Sequence, residues 1–351
     1  MAKTYNNLFA QVYDFEALYR AYLRARRGKR HLPEVQQFEQ HLEGNLIQLQ
    51  NELIWNTYHV GRYRFFSVYE PKEREIAALP FRDRIVQHAL VAVIEPVWER
   101  RFIHDSYACR VGKGTHKGAD RAQQYLREVK RRHGRVYVLK ADIAKYFHSI
   151  DHDIAKRIVA RHIKCKRTLA LLFQIIDSMV EINGNLFGVG IHIGSLTSQL
   201  IANIYLHELD LFVKHALREH YYVRYMDDFL IVHHDKRHLQ RLRAVIEEYL
   251  WDRLRLRVNV KTQVFPVGLA SGRAVDFLGY RIWPTHRRVR KSSICRIKHT
   301  MRRLGKQFAG GFITLERIRQ SIRSWIAHTR HAQSYGLRRA ILRASFSRTG
   351  E

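Results

Sequence analysis

Three carboxylates occupy places where a soluble protein rarely puts them. Asp142 closes the apolar run Val136-Tyr137-Val138-Leu139-Lys140-Ala141. Asp227-Asp228 stand between Tyr222-Val223-Arg224-Tyr225-Met226 and Phe229-Leu230-Ile231-Val232. A buried carboxylate is costly unless it is paired or binds a metal. Adjacent carboxylates also repel each other. A solvated Asp-Asp turn is commonplace. Apolar strands on both sides, with a third Asp at the end of another apolar run, argue instead for a local anionic pocket. Oxygen donors select hard cations such as Mg2+. Two such ions about 4 Å apart can activate a hydroxyl and stabilise a leaving phosphate oxygen.

The apolar spacing says which elements must hold these acids. Residues 135–141 are β-branched and aromatic and predict a strand. Residues 221–232 predict two short strands around the acidic turn, and 277–283 a further strand. A helix is predicted from about residue 84 to 98, with Asp83 as its N-cap and Ile85, Ala89, Leu90, Val93 and Val97 on its buried side. The first seventy residues read as mostly helical, with a basic stretch at 24–30. Near the C-terminus, Ile294, Ile297, Met301, Leu304 and Phe308 form one helical stripe ended by Gly310-Gly311. Thr314 is placed to cap a second helix with Leu315, Ile318, Ile322 and Trp325 inward. A third helix follows around 337–344.

The chain has 351 residues, enough for one elaborate domain or two to three ordinary ones. Its 62 Lys and Arg stand against 32 Asp and Glu, a formal net charge of +30. With 46% hydrophobic residues, that charge describes a folded protein with a polyanionic partner and excludes a disordered basic tail. Residues 284–351 hold 17 Lys and Arg and only two acids, so half of the net charge lies in the last fifth of the chain. Cys109, Cys165 and Cys295 are too widely spaced for zinc or a disulfide framework, which fits a reducing compartment. No signal peptide is expected at Met1–Ala10, and no apolar run approaches the roughly 20 residues of a membrane span. His207-Glu208 lacks the second His of a zincin helix, and Gly112-Lys113-Gly114-Thr115 lacks the first P-loop glycine because position 107 is Tyr. His233-His234 read as surface or nucleic-acid contacts. A basic surface for the nucleic acid and acids for the metals imply phosphoryl transfer on a nucleic acid, by a polymerase or a nuclease. An idle RNA-binding scaffold is the rival, and it gives no reason to bury three acids.

Tyr225-Met226-Asp227-Asp228 resembles the signature box of reverse transcriptases. Other boxes of that family follow in order. Residues 78–87 and 106–115 resemble its two fingers motifs. Lys140-Ala141-Asp142-Ile143 through His152 is similar to the palm motif with the first catalytic Asp. Gly194 to Leu206, Val258-Asn259-Val260-Lys261-Thr262 and Phe277-Leu278-Gly279-Tyr280 complete the set. The resemblance implies an α+β right-hand polymerase. Residues 1–67 would be a helical extension and fingers, and 68–134 fingers. Residues 135–283 would be a palm with an antiparallel sheet and a fingers insertion at about 155–190, and 284–351 a basic helical thumb. It implies two Mg2+ ions, which Mn2+ can replace, on Asp142, Asp227 and Asp228, with the Ile143 carbonyl completing one site. Phe147 matches the gate that excludes a ribose 2′-hydroxyl. Arg74, Lys72 and Arg82 are triphosphate candidates, Lys261 lies where the pyrophosphate leaves, and Arg110 and Lys113 are template-path candidates.

The box before Ala202-Asn203-Ile204-Tyr205-Leu206 separates the branches of the family. Group II intron enzymes usually carry Pro-Gln-Gly-Gly and then Ser-Pro there. This chain has His192-Ile193-Gly194-Ser195 and Leu196-Thr197-Ser198-Gln199. Ile193 falls where the Gln would be, and Gln199 where the Pro would be. Thr197 or Ser198 is expected to cap the following helix. The pattern resembles reverse transcriptases of diversity-generating retroelements, which copy a template-repeat RNA into cDNA with errors at adenines. That resemblance implies a structured, self-priming RNA, cDNA and deoxynucleoside triphosphates. It also implies a small basic helical accessory protein that forms a pentamer. The implied setting is the cytoplasm of a bacterial, phage or archaeal host, away from membranes. A group II intron-like or phage-defence reverse transcriptase is the alternative within the family. No maturase or endonuclease module is expected after the thumb.

Overall fold

Amphipathic spacing folds the start of the chain into four helices: α1 (Ala10–Tyr13), α2 (Phe15–Ala25), α3 (Pro33–Gln40) and α4 (Leu42–Ile54). The structure, a computed structural model, describes residues 4–69, 73–179, 188–268 and 272–346. A hairpin follows, β1 (Arg64–Val68) and β2 (Arg74–Ala78), then the long helices α5 (Phe81–Glu99) and α6 (Thr115–His133). Strand β3 (Tyr137–Asp142) leads through a 3-10 turn at Tyr146–Ser149 into α7 (His152–Ala160), α8 (Lys166–Asp177) and α9 (Leu196–Leu211). Next come β4 (Tyr222–Tyr225), β5 (Asp228–His233), α10 (Lys236–Leu254), β6 (Gln263–Pro266), β7 (Val275–Phe277), β8 (Tyr280–Ile282) and β9 (Arg287–Val289). Three helices close the described chain: α11 (Lys291–Ala309), α12 (Leu315–Thr329) and α13 (Tyr335–Phe346). The class is α+β, as expected. Part of the expected insertion, 180–187, lies outside the described residues.

Contacts divide the chain into two compact units. The first comprises Met1–His104, Asp142–Arg218 and Val245–Val260. Its helices α2 and α5 pack closely, with Leu18, Ala21 and Tyr22 on one and Ile85, Ala89 and Ile94 on the other fully or nearly fully buried. Asp83 does not cap α5. Pro80 holds the N-cap position, and its extended backbone admits the chain to the helix. Asp83 is instead buried in the first turn, accepting from the Tyr58 hydroxyl at 2.7 Å and the Gly61 amide at 3.2 Å. Donors from Tyr58 and Gly61, rather than the amides of the helix's own first turn, take up its carboxylate, which explains the difference. Burial raises its pKa above the ordinary carboxylate value.

The second unit comprises Asp105–Ala141, Glu219–Ala244 and Lys261–Glu351. It holds a four-stranded sheet in the order β4-β5-β3-β6. β4 pairs antiparallel with β5, and β3 with β6. Helix α6 packs on β4 and β5, and Ala122, Leu126, Val138, Val223 and Leu230 form the core between them. A left-handed Gly134 ends α6. The single strand expected at 277–283 is a hairpin, β7 and β8, because Leu278 and Gly279 both take positive φ and reverse the chain. Helices α11, α12 and α13 enclose a small core of Ile297, Met301, Leu304, Trp325 and Ile341. Phe308 and Leu315, expected inward, are exposed. Thr314 holds the α12 N-cap position without a side-chain hydrogen bond.

Two outcomes follow for Asp83. Tyr58→Phe removes its hydroxyl donor and is expected to lower stability by about 1–3 kcal/mol in chemical denaturation. The folded chain binds the Asp83 proton more tightly than the unfolded chain. That contribution is therefore complete below the ordinary carboxylate pKa of 3.8 and is lost as pH rises through the raised folded pKa. Asp83→Asn should flatten the fall in melting temperature across this window. An unchanged slope would assign the dependence to other groups.

Candidate active site

In the second unit, the register of β4 and β5 sets the acidic turn. Tyr225 pairs with Asp228, so Met226 and Asp227 alone reverse the chain. Met226 takes the left-handed conformation, φ +55°, which a bulky side chain rarely adopts. Val223 and Phe229–Val232 are buried and anchor both strands, leaving Asp227 and Asp228 half-buried at the hairpin end. Lys140 on β3 brings its ammonium to 3.5 Å from an Asp228 oxygen. β3 lies beside β5 in the sheet. Lys113 lies over the Tyr107 ring at 5.1 Å, and Arg110 donates to the Ser106 carbonyl at 2.8 Å. Lys261 is exposed.

In the first unit, the chain after β3 is held by residues 257–259. The Asn259 amide donates to the Asp142 carbonyl at 2.6 Å, and its side-chain amide reaches an Asp142 carboxylate oxygen at 3.4 Å. Ile143 bridges Val258, and the Ala144 amide donates to the Arg257 carbonyl at 2.9 Å. Asn259 thus orients the first acid, a role that sequence reasoning missed. Its box was visible, but its hydrogen-bond partner was not. A left-handed Lys145, φ +46°, then turns the chain so that half-buried Phe147 follows. The Phe147 carbonyl accepts from the Ile191 amide at 2.7 Å, and the Tyr146 hydroxyl donates to the Ala202 carbonyl on α9.

The loop entering α9 joins this group. Ser195, not Thr197 or Ser198, caps the helix, accepting from the Ser198 amide at 3.0 Å. Thr197 and Ser198 are buried within the first turn of the helix itself, past the cap position. Ile193 and Gln199 are half-buried on either side of the cap. Gly194, φ +122°, comes so near β2 that a Cβ there would meet the Ile76 side chain at 3.0 Å. Sequence reasoning also missed His192. Its ring lies 5.2 Å from Tyr63 and 5.8 Å from Phe65, and burial holds its pKa below the ordinary value. β2 begins at Arg74, opposite Val68. Lys72 lies outside the described residues. Arg82 is engaged by Glu52 in an ion pair and lies over the Tyr58 ring at 5.9 Å.

No group of three His, Cys, Asp or Glu side chains among the described residues is arranged to hold a metal ion. Asp227 and Asp228 in one unit, and Asp142 with the Ile143 carbonyl in the other, each offer oxygen, the donor type that hard cations such as Mg2+ take. Mg2+ is usually held by one or two carboxylates, with water and substrate phosphates completing its octahedron. No helix among the described residues is long and apolar enough to cross a membrane.

Comparison with known proteins bears on this geometry. The chain is similar to protein YkfC of Escherichia coli (strain K12), at 29% identity over 255 residues that cover 61% of this chain and 65% of YkfC. It is also similar to the group II intron-encoded protein LtrA of Lactococcus lactis subsp. cremoris, at 28% identity over 145 residues that cover 40% of this chain and 23% of LtrA. The chain thus spans less than two thirds of either relative. Its fold resembles that of apo telomerase from Candida tropicalis, with a TM-score of 0.50 at 12% identity, covering 67% of this chain and 49% of that one. At that identity the likeness concerns the fold, and it is consistent with the right-hand polymerase architecture. Residues 70–282 match the family model "Reverse transcriptase (RNA-dependent DNA polymerase)", and the chain belongs to that family.

Proposed function

We propose that the chain is an RNA-directed DNA polymerase in which a primer 3′-hydroxyl attacks the α-phosphate of a deoxynucleoside triphosphate. The observation that carries this reading is the β4–β5 hairpin, whose two-residue turn presents half-buried Asp227 and Asp228 between buried apolar strands. These acids would hold two Mg2+ ions, which lower the pKa of the attacking hydroxyl and offset charge on the leaving oxygen. Asn259 orients Asp142. Phe147 places a ring near the sugar and favours deoxynucleotides. Arg74 and Lys72 are assigned to the triphosphate, Lys261 to the pyrophosphate, and Arg110 and Lys113 to the template. Arg82 joins them only if it leaves Glu52. Residues 1–134 serve as fingers with a helical extension, 135–283 as palm and 284–351 as a basic thumb.

Within the family, we assign the chain to the diversity-generating type. Ile193 supports this assignment. A Gln at that place can hydrogen-bond the sugar of the nascent pair, and an Ile neither donates nor accepts. Losing such a contact loosens discrimination between nucleotides. The assignment brings a structured self-priming RNA as template and a small basic pentameric accessory protein as partner. The similarity to LtrA favours a second reading, a group II intron-like enzyme. The products separate the two, because an intron-like enzyme copies its RNA accurately.

Purified chain given its neighbouring RNA, Mg2+ and deoxynucleotides should yield cDNA with errors opposite template adenines. Asp227→Asn should lower the rate by at least about 10³-fold, some 4 kcal/mol of transition-state stabilisation. Ile193→Gln should reduce adenine errors without abolishing synthesis. An unchanged error spectrum in that variant would remove the ground for the diversity-generating assignment. Phe147→Ala should raise ribonucleotide incorporation by about 10²-fold relative to deoxynucleotide. Equal discrimination in single-nucleotide extension would free Phe147 of the gating role.

A further inference from the structure

Arg224 is completely buried, 0% exposed, and is among the largest side chains so enclosed. It stands on β4, two residues before Met226. Its guanidinium Nη1 donates to the Met226 carbonyl at 2.9 Å. Its backbone is clamped as well. The Arg224 amide donates to the Asp105 carbonyl at 2.9 Å, and the Tyr107 amide to the Arg224 carbonyl at 2.9 Å. The clamp is itself anchored, since the Asp105 carboxylate accepts from the Tyr125 hydroxyl at 2.6 Å and from Arg121 at 2.8 Å.

Burying a guanidinium is costly, and an apolar side chain of similar length would fill the same space without that cost. What Arg adds is a rigid planar fork of donors. One of its donors reaches the carbonyl of the residue held at positive φ. That carbonyl belongs to the peptide that leads directly into Asp227, so fixing it fixes the direction in which the next two side chains leave the turn.

We propose that Arg224 is a positioning residue whose guanidinium pins the Met226 carbonyl and so orients the Asp227 and Asp228 carboxylates to receive divalent cations. The proposal rests on the polymerase reading of the acidic turn, and it adds a group that touches neither substrate nor metal.

The test compares Arg224→Lys, which keeps the charge, and Arg224→Met, which keeps the bulk, with the parent chain. Mn2+ binding is measured by electron paramagnetic resonance without RNA or nucleotide. Melting temperature and the Mg2+ dependence of cDNA synthesis are measured alongside. Loss of an outer partner of a metal ligand typically weakens metal affinity by about 10–100-fold, and both variants should show a Mn2+ dissociation constant raised by about tenfold. The Mg2+ concentration for half-maximal synthesis should rise in parallel, and melting should stay cooperative. Unchanged Mn2+ affinity in folded variants overturns the proposal, even if the melting temperature falls, because Arg224 is then only a packing group. Failure of both variants to fold overturns it too, because Arg224 then serves the whole unit. A parent chain that binds Mn2+ but makes no cDNA refutes the polymerase reading and leaves the metal comparison intact.

Discussion

Two residues are all that join β4 to β5, and the placement of the acidic site depends on that shortness. Pairing of Tyr225 with Asp228 leaves no slack, so the first turn residue must accept a positive φ. Met226 bears a conformation that costs on the order of 1–3 kcal/mol for a residue other than glycine. Burial of Val223, Phe229, Leu230 and Ile231 on the two strands offsets it, as does the Arg224 donor to the Met226 carbonyl. The register is not negotiable. A slip of one residue would send every side chain to the other face and drive the acid of β5 into the core beneath α6.

The electrostatics follow from the same turn. A chain of net charge +30 attracts polyanions, and under the proposed function the reacting phosphates would be met where acids are concentrated. Lys140 lies against Asp228, so the anionic end of the hairpin is partly balanced within its own sheet. The basic C-terminal helices are built differently. A small core of Ile297, Met301, Leu304, Trp325 and Ile341 holds them together, and their remaining surface is free to carry arginine.

Local pattern made part of this legible and long-range contact hid the rest. β3, β4 and β5 could be read because their apolar runs end at carboxylates, a contradiction visible within ten residues. The β7–β8 hairpin could not, because Leu278 gives no sign that it accepts a left-handed backbone. Asp83 looked like a cap because it precedes an apolar helix. Only the contacts of Tyr58 and Gly61 reveal it as a buried acceptor. Asn259 lies 117 residues from Asp142 in sequence, and no periodicity links them. Arg224 looked like one more charge in a basic chain until its burial was known. The acids themselves were legible by type; the groups that orient them were not.

The loop before α9 shows how one backbone can serve different chemistries. Gly194 is fixed by its φ and by the Ile76 side chain, Ser195 by its cap, and His192 by the rings of Tyr63 and Phe65. Ile193 lies between these fixed points and is only half-buried, so its side chain can change while its neighbours hold the loop. A polar side chain there adds a hydrogen bond toward whatever lies beside it, and an apolar one withdraws it, with little demand on the fold. Membership of the family is therefore written in turns and caps spread along the chain. The proposed difference in fidelity is concentrated in a single side chain on a loop that packing already holds in place.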